Sequence, residues 1–416
     1  TCTELAEKLI RQLSAGGYEV VYDPEDTTAG TVIINTCGFI RDSKEESIDT
    51  ILKFTRAKQK GQISNLYVMG CLAERYMQDL QHEIPEVQRY FGVNNLTDVL
   101  HEVGLNLRDD LLTGRMLTGP DHYAYLKISE GCDRTCAFCA IPGIRGKYIS
   151  RPVKELISEA SQLADSGVKE IILIAQDLSY YGLDLYKKQE LQRLVRELLK
   201  VPFEWIRLHY LYPANFPTEL LDIMQSETRI CKYIDIPIQH ISDKMLRLMK
   251  RSHSRKETEQ VLHKIRKKLP DAAIRSTLIV GHPGETEDDF KELRDFVNDF
   301  RFDRLGVFAY SHEEDTYSYK NYKDEISDNM KEARVSELME IQQEISLSLN
   351  ESKIDKSPRI IVDRREGEFF IGRTEHDSPE VDQEVLVPAE YNMVPGNFYD
   401  IRITEAREFD LYGKPV

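Results

Sequence analysis

The chain has 416 residues, of which 41% are hydrophobic, and it carries 55 Lys and Arg against 71 Asp and Glu, a formal net charge of −16. This composition is that of folded globular domains, about two to four of them at this length, and it excludes a disordered chain. The sequence contains no apolar run of about 18 residues and no signal-peptide pattern, so we expect a cytoplasmic protein without a membrane span. Direct nucleic-acid binding is not expected, because contacts to phosphates favour a basic surface.

The first hundred residues alternate between short β-rich runs and helical segments. The runs YEVVYD, GTVIINTC and NLYVMGC are separated by a helical stretch from about residue 42 to 60. This alternation predicts an open parallel α/β domain over residues 1–110. Cys37 and Cys71 each follow the end of an apolar strand, where open sheets bind ligands and helix N-termini favour thiolates.

Residues 118–350 continue the alternation with six further strand and helix units. The predicted strands are AYLKIS, EIILIAQ, WIRLHYLY, YIDIPIQH, AIRSTLIVG and RLGVFAYS. Six units predict a parallel (β/α)6-type barrel whose chemistry lies at the carboxyl ends of the strands. One helix start is marked by Thr286 and Asp289, a near capping box after Pro283-Gly284.

Residues 351–416 have a different pattern, after a long polar helix predicted from about residue 328 to 351. Short strands with turn residues, such as RIIVDRREGEFFIGRTE and FYDIRITEARE, predict a small antiparallel β-barrel. From residue 352 to 416 there are nine Lys and Arg and fourteen Asp and Glu, a net charge of −5. This module is therefore acidic like the whole chain.

The segment GCDRTCAFCAIPGIRG contains the most informative motif in the sequence. Cys132, Cys136 and Cys139 form a C-x-x-x-C-x-x-C pattern that can place three thiolates round a cubane iron–sulfur cluster. The fourth iron then stays open to chelate a substrate amine and carboxylate. A zinc site is an alternative, although zinc usually takes four ligands with paired C-x-x-C spacing. Buried inert thiols are a second alternative, which the surrounding Gly and Arg residues disfavour.

This motif resembles that of the radical S-adenosylmethionine (SAM) superfamily, with Phe138 at the aromatic position that packs near the adenine. The segments IPGIRG and IVGHPGE, the two strand-end cysteines and the C-terminal β-module extend the resemblance over essentially the whole chain to the methylthiotransferases. The resemblance implies SAM, two [4Fe-4S] clusters and a C-terminal TRAM module that contacts the substrate. The implied ligands are Cys132, Cys136 and Cys139 for the SAM cluster and Cys2, Cys37 and Cys71 for an auxiliary cluster.

The assignment of Cys2 has two interpretations. The family places a strand, a Gly-Cys pair and a lysine–asparagine loop before the first helix, whereas this sequence has only TCTELAEKL. Either the native N-terminus and its loop are missing, which is the interpretation we favour, or Cys2 is not a ligand. Cys231 has no counterpart in the family and is expected to be a buried filler.

Further candidate residues lie on the predicted barrel strands. Gln176 and Asp177 end the second strand and are predicted to contact SAM, with a helix cap as the alternative role of Asp177. Arg275 and Ser276, on the fifth strand, are also predicted SAM contacts, with an ion pair as the alternative for Arg275. Weaker candidates for the pocket lining are Gln239 and His240 at the end of the fourth strand, with a structural role as the alternative for His240. Tyr310 is a candidate to face the substrate, although core packing is the interpretation we favour.

Two branches of the family share this architecture. A MiaB-like enzyme methylthiolates an adenosine in tRNA, and a RimO-like enzyme methylthiolates the β-carbon of an aspartate in the small-subunit ribosomal protein uS12. The segments CGFIRDSKEESIDTIL, IAQDLSYYG, IRLHYLYP and DIPIQH resemble the RimO branch. An acidic TRAM module is also expected to attract a basic ribosomal protein rather than tRNA. The resemblance therefore implies uS12 as substrate, free or on the ribosome, together with an electron donor.

The implied mechanism has three parts. SAM is cleaved to a 5′-deoxyadenosyl radical that abstracts a hydrogen atom from the aspartate β-carbon. The auxiliary cluster supplies sulfur, and a second SAM supplies the methyl group. The tRNA enzyme remains the alternative function. A non-catalytic iron–sulfur or RNA-binding scaffold is a third hypothesis, disfavoured because a scaffold needs no open iron.

Overall fold

The structure is a computed structural model that describes residues 2–23, 28–111 and 114–416. Within these ranges no helix has both the length and the apolar character that crossing a membrane requires. The helices and strands form three structural units in chain order. These units are an α/β sheet, a partial barrel and a closed β-barrel.

The first unit is a parallel sheet of three strands with helices on both faces. Successive residues of a strand point to opposite faces, so Leu66 and Val68 pack in one apolar cluster, and Tyr67 and Met69 in another. This arrangement confirms the predicted open α/β fold. The elements are α1 (Cys2–Ala15), β1 (Ala29–Thr36), α2 (Arg41–Gln59), β2 (Ile63–Gly70), α3 (Cys71–Glu83), β3 (Arg89–Phe91), α4 (Leu96–Glu102) and a 3₁₀ turn (Asp109–Leu111).

The second unit contains six parallel strands surrounded by helices. Its elements up to the middle strand are β4 (Tyr123–Lys127), β5 (Ser129–Glu130), α5 (Ile141–Arg145), β6 (Ile149–Ser150), α6 (Val153–Asp165), β7 (Glu170–Ile174), a 3₁₀ turn (Leu178–Tyr180), α7 (Leu183–Tyr186), α8 (Leu191–Leu198) and β8 (Trp205–Leu208). The elements that follow are α9 (Glu219–Ser226), β9 (Tyr233–Asp235), α10 (Asp243–Leu248), α11 (Arg255–Lys268), β10 (Ala273–Val280), α12 (Glu287–Phe300), β11 (Arg304–Ala309), α13 (Tyr317–Asn321) and α14 (Asp328–Glu351).

The six strands are arranged in the order β4-β7-β8 and β9-β10-β11, all parallel. The two halves are joined beside β8 by a bridge between Ile206 and Ile230, with the Ile206 N–H donating to the Arg229 carbonyl at 2.8 Å. This confirms the predicted (β/α)6-type barrel. The predicted helix start is also correct, because Thr286 and Asp289 form a capping box on α12.

The third unit is a closed barrel in the order β12-β13-β14-β16-β15. The predicted antiparallel pairing holds for four of its five ladders, whereas β14 and β16 pair in parallel. Strand direction cannot alternate all the way round a ring with an odd number of strands, so one parallel pair is required. The strands are β12 (Arg359–Glu366), β13 (Phe369–Thr374), β14 (Glu384–Pro388), β15 (Phe398–Ala406) and β16 (Asp410–Pro415), with a 3₁₀ turn (Ala389–Tyr391).

The loop between β13 and β14 closes the amino-terminal end of the partial barrel. Asp377 in this loop accepts a hydrogen bond from Arg304 Nε at 3.0 Å, and Asp382 accepts one from the Tyr233 hydroxyl at 2.7 Å. The side chains of both aspartates are buried and their charges are compensated by these partners. Since this end is filled, the carboxyl ends of the strands are left for chemistry.

Candidate active site

The loop that carries Cys132, Cys136 and Cys139 follows β4 and β5 at the carboxyl edge of the barrel strands. The Cys132 N–H donates to the Gly146 carbonyl at 3.1 Å, and the Cys139 N–H donates to the Cys136 carbonyl at 3.2 Å. These bonds fold the loop into a tight turn. The three thiols therefore face one local environment, as the spacing predicts.

Ala137, in the middle of this loop, is held from two sides. Its N–H donates to the Met249 carbonyl at 2.8 Å, and its carbonyl accepts from the Ser318 N–H at 2.7 Å. The Ser318 hydroxyl lies 2.8 Å from His282 Nε2, which is buried behind it. Phe138, the next residue, is half-buried. Helices α10 and α13 thus fix the loop without using its sulfur atoms.

The environment of the sulfur atoms suits a cluster better than a single ion. Burial raises the pKa of Cys132 to about 11 and that of Cys139 to about 12, and the neighbouring sulfurs add to both increases. Near neutral pH such thiols keep their protons unless a metal is bound, because metal coordination deprotonates a thiol. In the described ranges no three His, Cys, Asp or Glu side chains converge on a single-metal position. Cys132, Cys136 and Cys139 would hold an iron–sulfur cluster, which takes thiolates as its ligands.

Two arginines donate hydrogen bonds to this loop and stack on the same tyrosine. The Arg134 N–H donates to Cys132 Sγ and the Arg251 guanidinium donates to Cys136 Sγ, both at 3.4 Å. The two guanidinium groups lie 4.0 and 4.1 Å from the centre of the Tyr212 ring. Two stacked cations beside two sulfurs stabilise negative charge on them.

Asp177 orients the first of these arginines. Its carboxylate accepts from Arg134 Nε at 2.9 Å and caps the 3₁₀ turn by accepting from the Ser179 N–H at 2.8 Å. Burial raises its pKa, although Arg134 opposes that increase. The capping role, which was the alternative from the sequence, is thus present in the structure. A contact between Asp177 and SAM stays a prediction.

Gln176 and Gln239 follow β7 and β9 at the carboxyl end of the barrel. Each has a buried Oε1 atom for which the described residues supply no hydrogen-bond donor. The neighbouring His240 is kept neutral, because burial lowers its pKa to about 3, and its Nε2 faces the buried Glu285 carboxylate at 3.7 Å. Buried polar atoms without partners indicate a ligand or water at this position. These residues fit a SAM pocket above the strand ends.

The other predicted SAM contacts are engaged within the protein. Arg275 lies near the amino end of β10 and pairs with Asp235 and Asp382, each at 3.3 Å. The Ser276 hydroxyl is buried and donates to the Ile236 carbonyl at 2.9 Å. The ion pair proposed as the alternative for Arg275 is therefore present. SAM binding by Arg275 and Ser276 stays a prediction.

Cys37 and Cys71 lie side by side because they follow paired residues of two parallel strands, Thr36 and Gly70. A side chain at Gly38 would come within 2.7 Å of the Leu72 backbone, so only glycine lets this turn rest on the start of α3. Cys71 is the first residue of α3, where helix N–H groups favour a thiolate.

Both cysteines are held by neighbouring polar groups. The Cys37 N–H donates to Ser47 Oγ at 3.0 Å, and the Ser47 hydroxyl donates back to the Cys37 carbonyl at 2.9 Å. The Arg145 guanidinium donates to Cys71 Sγ at 3.3 Å. Cys2 begins α1, but its side chain lies outside the described part of the chain. Two of the three predicted auxiliary ligands are thus brought together.

The boundary between the two cysteine sites contains a cavity of about 280 Å³. Asn35, Gly70 and Val93 line it from the first unit, and Lys127, Ser129 and Glu130 line it from the barrel. Beside it, Cys71 and Val93 pack with Ala140 and Ile144, which directly follow the three-cysteine loop. The two cysteine sites therefore share one wall.

Several charged residues at these sites had no role predicted from the sequence. Arg75 pairs with Glu313 at 2.9 Å and also donates to the Gly38 carbonyl at 3.0 Å, which attaches the Cys37 turn to the loop after β11. Arg134 and Arg145 lay in segments that the sequence analysis had already marked, the cysteine motif and IPGIRG. The partners of Arg75 and Arg251 lie far away in sequence, so no local pattern identifies them.

Three stretches of the chain match known families. Residues 3–92 match the uncharacterized protein family UPF0004, residues 126–297 match the radical SAM superfamily, and residues 355–416 match the TRAM domain. Among solved structures, the radical SAM methyltransferase TsrM from Kitasatospora setae has a TM-score of 0.56 at 12% identity, covering 88% of this chain and 76% of that one. At this identity the likeness shows the fold alone.

Relatives with curated names match almost the full length. The ribosomal protein uS12 methylthiotransferase RimO of Bacteroides fragilis is 51% identical over 413 residues, 99% of this chain and 96% of that protein. The proteins of the same name from Phocaeicola vulgatus and Flavobacterium psychrophilum are each 52% identical. They cover 98% and 99% of this chain, and it covers 95% and 94% of them.

A partial parallel barrel with a C-x-x-x-C-x-x-C loop at its strand ends defines an enzyme of the radical SAM superfamily. Membership implies SAM and a [4Fe-4S] cluster as cofactors. Because the curated relatives are 50–52% identical over nearly the whole chain, the protein belongs to the RimO family of methylthiotransferases. The RimO branch predicted from the sequence is confirmed, and the MiaB-like alternative is not favoured.

Proposed function

We propose that this enzyme inserts sulfur and a methyl group at the β-carbon of an aspartate in ribosomal protein uS12. The observation that carries the proposal is the 51% identity to RimO enzymes along 99% of the chain. The cysteine sites support it from the structure, since the two described auxiliary cysteines adjoin the three-cysteine loop. A reaction on a ribosomal protein supports a cytoplasmic location for the enzyme.

Cys132, Cys136 and Cys139 would hold the SAM cluster. When bound, the cluster and SAM supply one-electron radical chemistry. Arg134 and Arg251 donate to two of the sulfurs and stabilise added negative charge there. Ala137 at the centre of the loop is buried, and a site closed to water would let a carbon radical react only with its substrate.

Gln176 and Gln239 would orient SAM in the pocket. Their unpartnered amide oxygens can accept hydrogen bonds from the amine or ribose hydroxyls of the ligand. His240, the residue after Gln239, is kept neutral because burial lowers its pKa to about 3. Phe138 would pack near the adenine, as the resemblance implies, and Asp177, Arg275 and Ser276 remain proposed contacts.

Cys37 and Cys71, with Cys2 as the third proposed ligand, would hold an auxiliary [4Fe-4S] cluster that supplies sulfur. The support is chemical. The two described thiols follow adjacent strand ends, one begins a helix, and an arginine donates to its sulfur. We also propose domain limits of 1–110, 118–350 and 351–416, which contain the three family matches.

The acidic C-terminal module would attract the substrate. Its net charge of −5 suits a basic ribosomal protein, whether free or on the ribosome, and disfavours direct contact with RNA. An electron donor is also required, because the cluster must be reduced before SAM is cleaved. Neither the donor nor the ribosome is needed for the first test.

The test is an anaerobic reaction of the reconstituted enzyme with reductant and SAM, offered uS12 in one tube and bulk tRNA in another. Mass spectrometry is expected to find a methylthio group on a uS12 aspartate and none on tRNA. Cys136→Ala is the control, since it lacks one proposed cluster ligand and should give no product. Methylthiolated tRNA with unmodified uS12 would overturn the proposal.

A further inference from the structure

We propose that Arg145 is a positioning residue that ties the auxiliary centre to the radical SAM loop and makes that centre easier to reduce. The inference rests on the proposed auxiliary cluster at Cys37 and Cys71. It assigns a role to the arginine of IPGIRG, a segment that follows the three-cysteine loop directly. It predicts electronic effects that a purely structural residue would not produce.

Arg145 is placed so that one guanidinium joins two structural units. It ends α5, the five-residue helix that begins two residues after Cys139. Its Nη2 donates to Cys71 Sγ at 3.3 Å and its Nη1 donates to Glu130 Oε1 at 3.0 Å. The planar, fork-shaped guanidinium can make both bonds at once, which a lysine cannot do with the same geometry. The side chain is only 8% exposed, so this orientation is fixed by packing.

The surroundings of this contact are apolar on one side. Cys71 is 4% exposed and packs with Val93, Ile144 and Ala140. Water is therefore largely excluded between Arg145 and the sulfur. A charge acts more strongly in such a place, because the local dielectric constant is far below that of water.

The carboxylate that pairs with Arg145 is shared with a second cation. Glu130 pairs with both Arg145 and Lys127, so two cations share one carboxylate. Glu130 therefore offsets only part of the positive charge that Arg145 places beside the sulfur of Cys71.

A cation that donates to a cluster sulfur favours the reduced state, which carries one more negative charge. Hydrogen bonds to sulfur, net charge and solvent exposure set the potentials of iron–sulfur clusters. Arg145 supplies two of these, a hydrogen bond to Cys71 Sγ and a positive charge beside it, and both favour the reduced state. Removal of its guanidinium should lower the reduction potential of the auxiliary cluster, and removal of the Glu130 charge should raise it.

The test uses the full chain with Cys132, Cys136 and Cys139 replaced by Ala, so that only the auxiliary cluster can form. A redox titration followed by electron paramagnetic resonance compares Arg145 with Arg145→Met in this background. At the midpoint of the parent, the ratio of reduced to oxidised cluster should fall about tenfold, equivalent to 59 mV for a one-electron couple. Arg145→Lys keeps the charge and should give a smaller shift of the same sign.

Two further variants separate an electronic role from loss of structure. Glu130→Gln keeps Arg145 in place and should shift the ratio in the opposite direction, toward the reduced form. Arg89→Met is the control. It removes an arginine of the first unit, which also contains Cys71, and this arginine pairs with Glu102 at the surface. The ratio of reduced to oxidised cluster should stay unchanged. Since Glu130 retains Lys127 in Arg145→Met, that variant leaves no carboxylate without a partner.

The outcomes distinguish the inference from the function on which it rests. If the triple-alanine chain binds no iron, the auxiliary cluster itself is wrong, and the role of Arg145 fails with it. If iron is bound and Arg145→Met titrates like the parent, the role of Arg145 alone is overturned. If both Arg145 variants lose iron, the electronic role of Arg145 is tested by Glu130→Gln alone. An unchanged or lowered reduction potential of the auxiliary cluster in Glu130→Gln would contradict the inference.

Discussion

Arg75 and Glu313 form an ion pair of 2.9 Å that connects the first unit to the rim of the barrel. Arg75 also donates to the carbonyl of Gly38, the residue after Cys37. Glu313 accepts a second cation, Lys44, at 2.8 Å. Both members of the pair are buried, with 6% and 7% of their side chains exposed. The position of the Cys37 turn above the barrel therefore depends on this pair.

We expect Arg75→Met to uncouple SAM cleavage from the methylthiolation of uS12. Loss of the pair should loosen the auxiliary site, because the Cys37 turn loses its attachment to the barrel, while the SAM cluster loop is untouched. The yield of methylthiolated uS12 should fall about 10–100-fold, the usual effect of losing a group that orients metal ligands. The measurement is the ratio of 5′-deoxyadenosine to modified uS12, which should rise. Lys291→Met, which breaks an exposed pair with Asp295, is the control and should leave the ratio unchanged.

We expect Arg251→Met to impair the cleavage of SAM itself. This change removes the donor to Cys136 Sγ and one of the two cations on Tyr212. The SAM cluster should become harder to reduce, so 5′-deoxyadenosine formation should fall about tenfold or more, although the iron content is retained. Iron analysis and product quantification check both points. Normal SAM cleavage in this variant would show that the hydrogen bond to Cys136 has no electronic effect.

His253 gives a pH-dependent prediction. Burial and the positive charge of Arg251 lower its pKa from 6.5 to about 3, while its Nδ1 lies 2.9 Å from the Thr258 hydroxyl. Between pH 6.5 and about 3, His253 binds a proton in the unfolded chain but not in the folded chain. His253 therefore reduces the free energy of unfolding as the pH falls below 6.5. The free energy of unfolding should drop by about 1.4 kcal/mol for one pH unit in this range.

The comparison for this prediction is His253→Gln, which stays neutral at every pH. Urea unfolding of the wild type and the variant, without clusters, should show a difference in pH dependence between pH 7.5 and 5.5. The wild type should lose more stability over this interval. Parallel pH profiles for the two proteins would mean that His253 is protonated in the folded state.

Glu170 carries the attachment of the C-terminal module to the barrel. It is fully buried, accepts from Arg207 Nε at 2.7 Å and pairs with Arg373 of β13. Glu170→Ala leaves two buried guanidinium groups with fewer partners, and breaking such a pair costs about 3–5 kcal/mol. Chemical unfolding should show this loss. A variant within about 0.5 kcal/mol of the wild type would contradict the role assigned to Glu170.

Much of the fold was predictable because its signals are local. The alternation of strands and helices, the capping box of Thr286 and the spacing of Cys132, Cys136 and Cys139 all lie within short windows. The parallel pairing of β14 with β16 was not predictable in this way, because it depends on how the ring of five strands closes.

The details of the site were less accessible to sequence reasoning. Arg145 lies 74 residues from Cys71, and Arg275 lies 107 residues from Asp382, so only the folded chain brings these groups together. The alternative roles of Asp177 and Arg275 could be named in advance from their charge alone. Which partner each would choose depends on tertiary packing, which no local window contains.

The most direct test of the proposed chemistry follows the hydrogen atom of the substrate. The reconstituted enzyme is incubated with SAM, reductant and uS12 that carries deuterium at the β-carbon of its aspartates. We predict that deuterium appears in 5′-deoxyadenosine and that the methylthiolated aspartate has lost one deuterium atom. Formation of the methylthiolated product with no deuterium in 5′-deoxyadenosine would contradict hydrogen abstraction from this carbon.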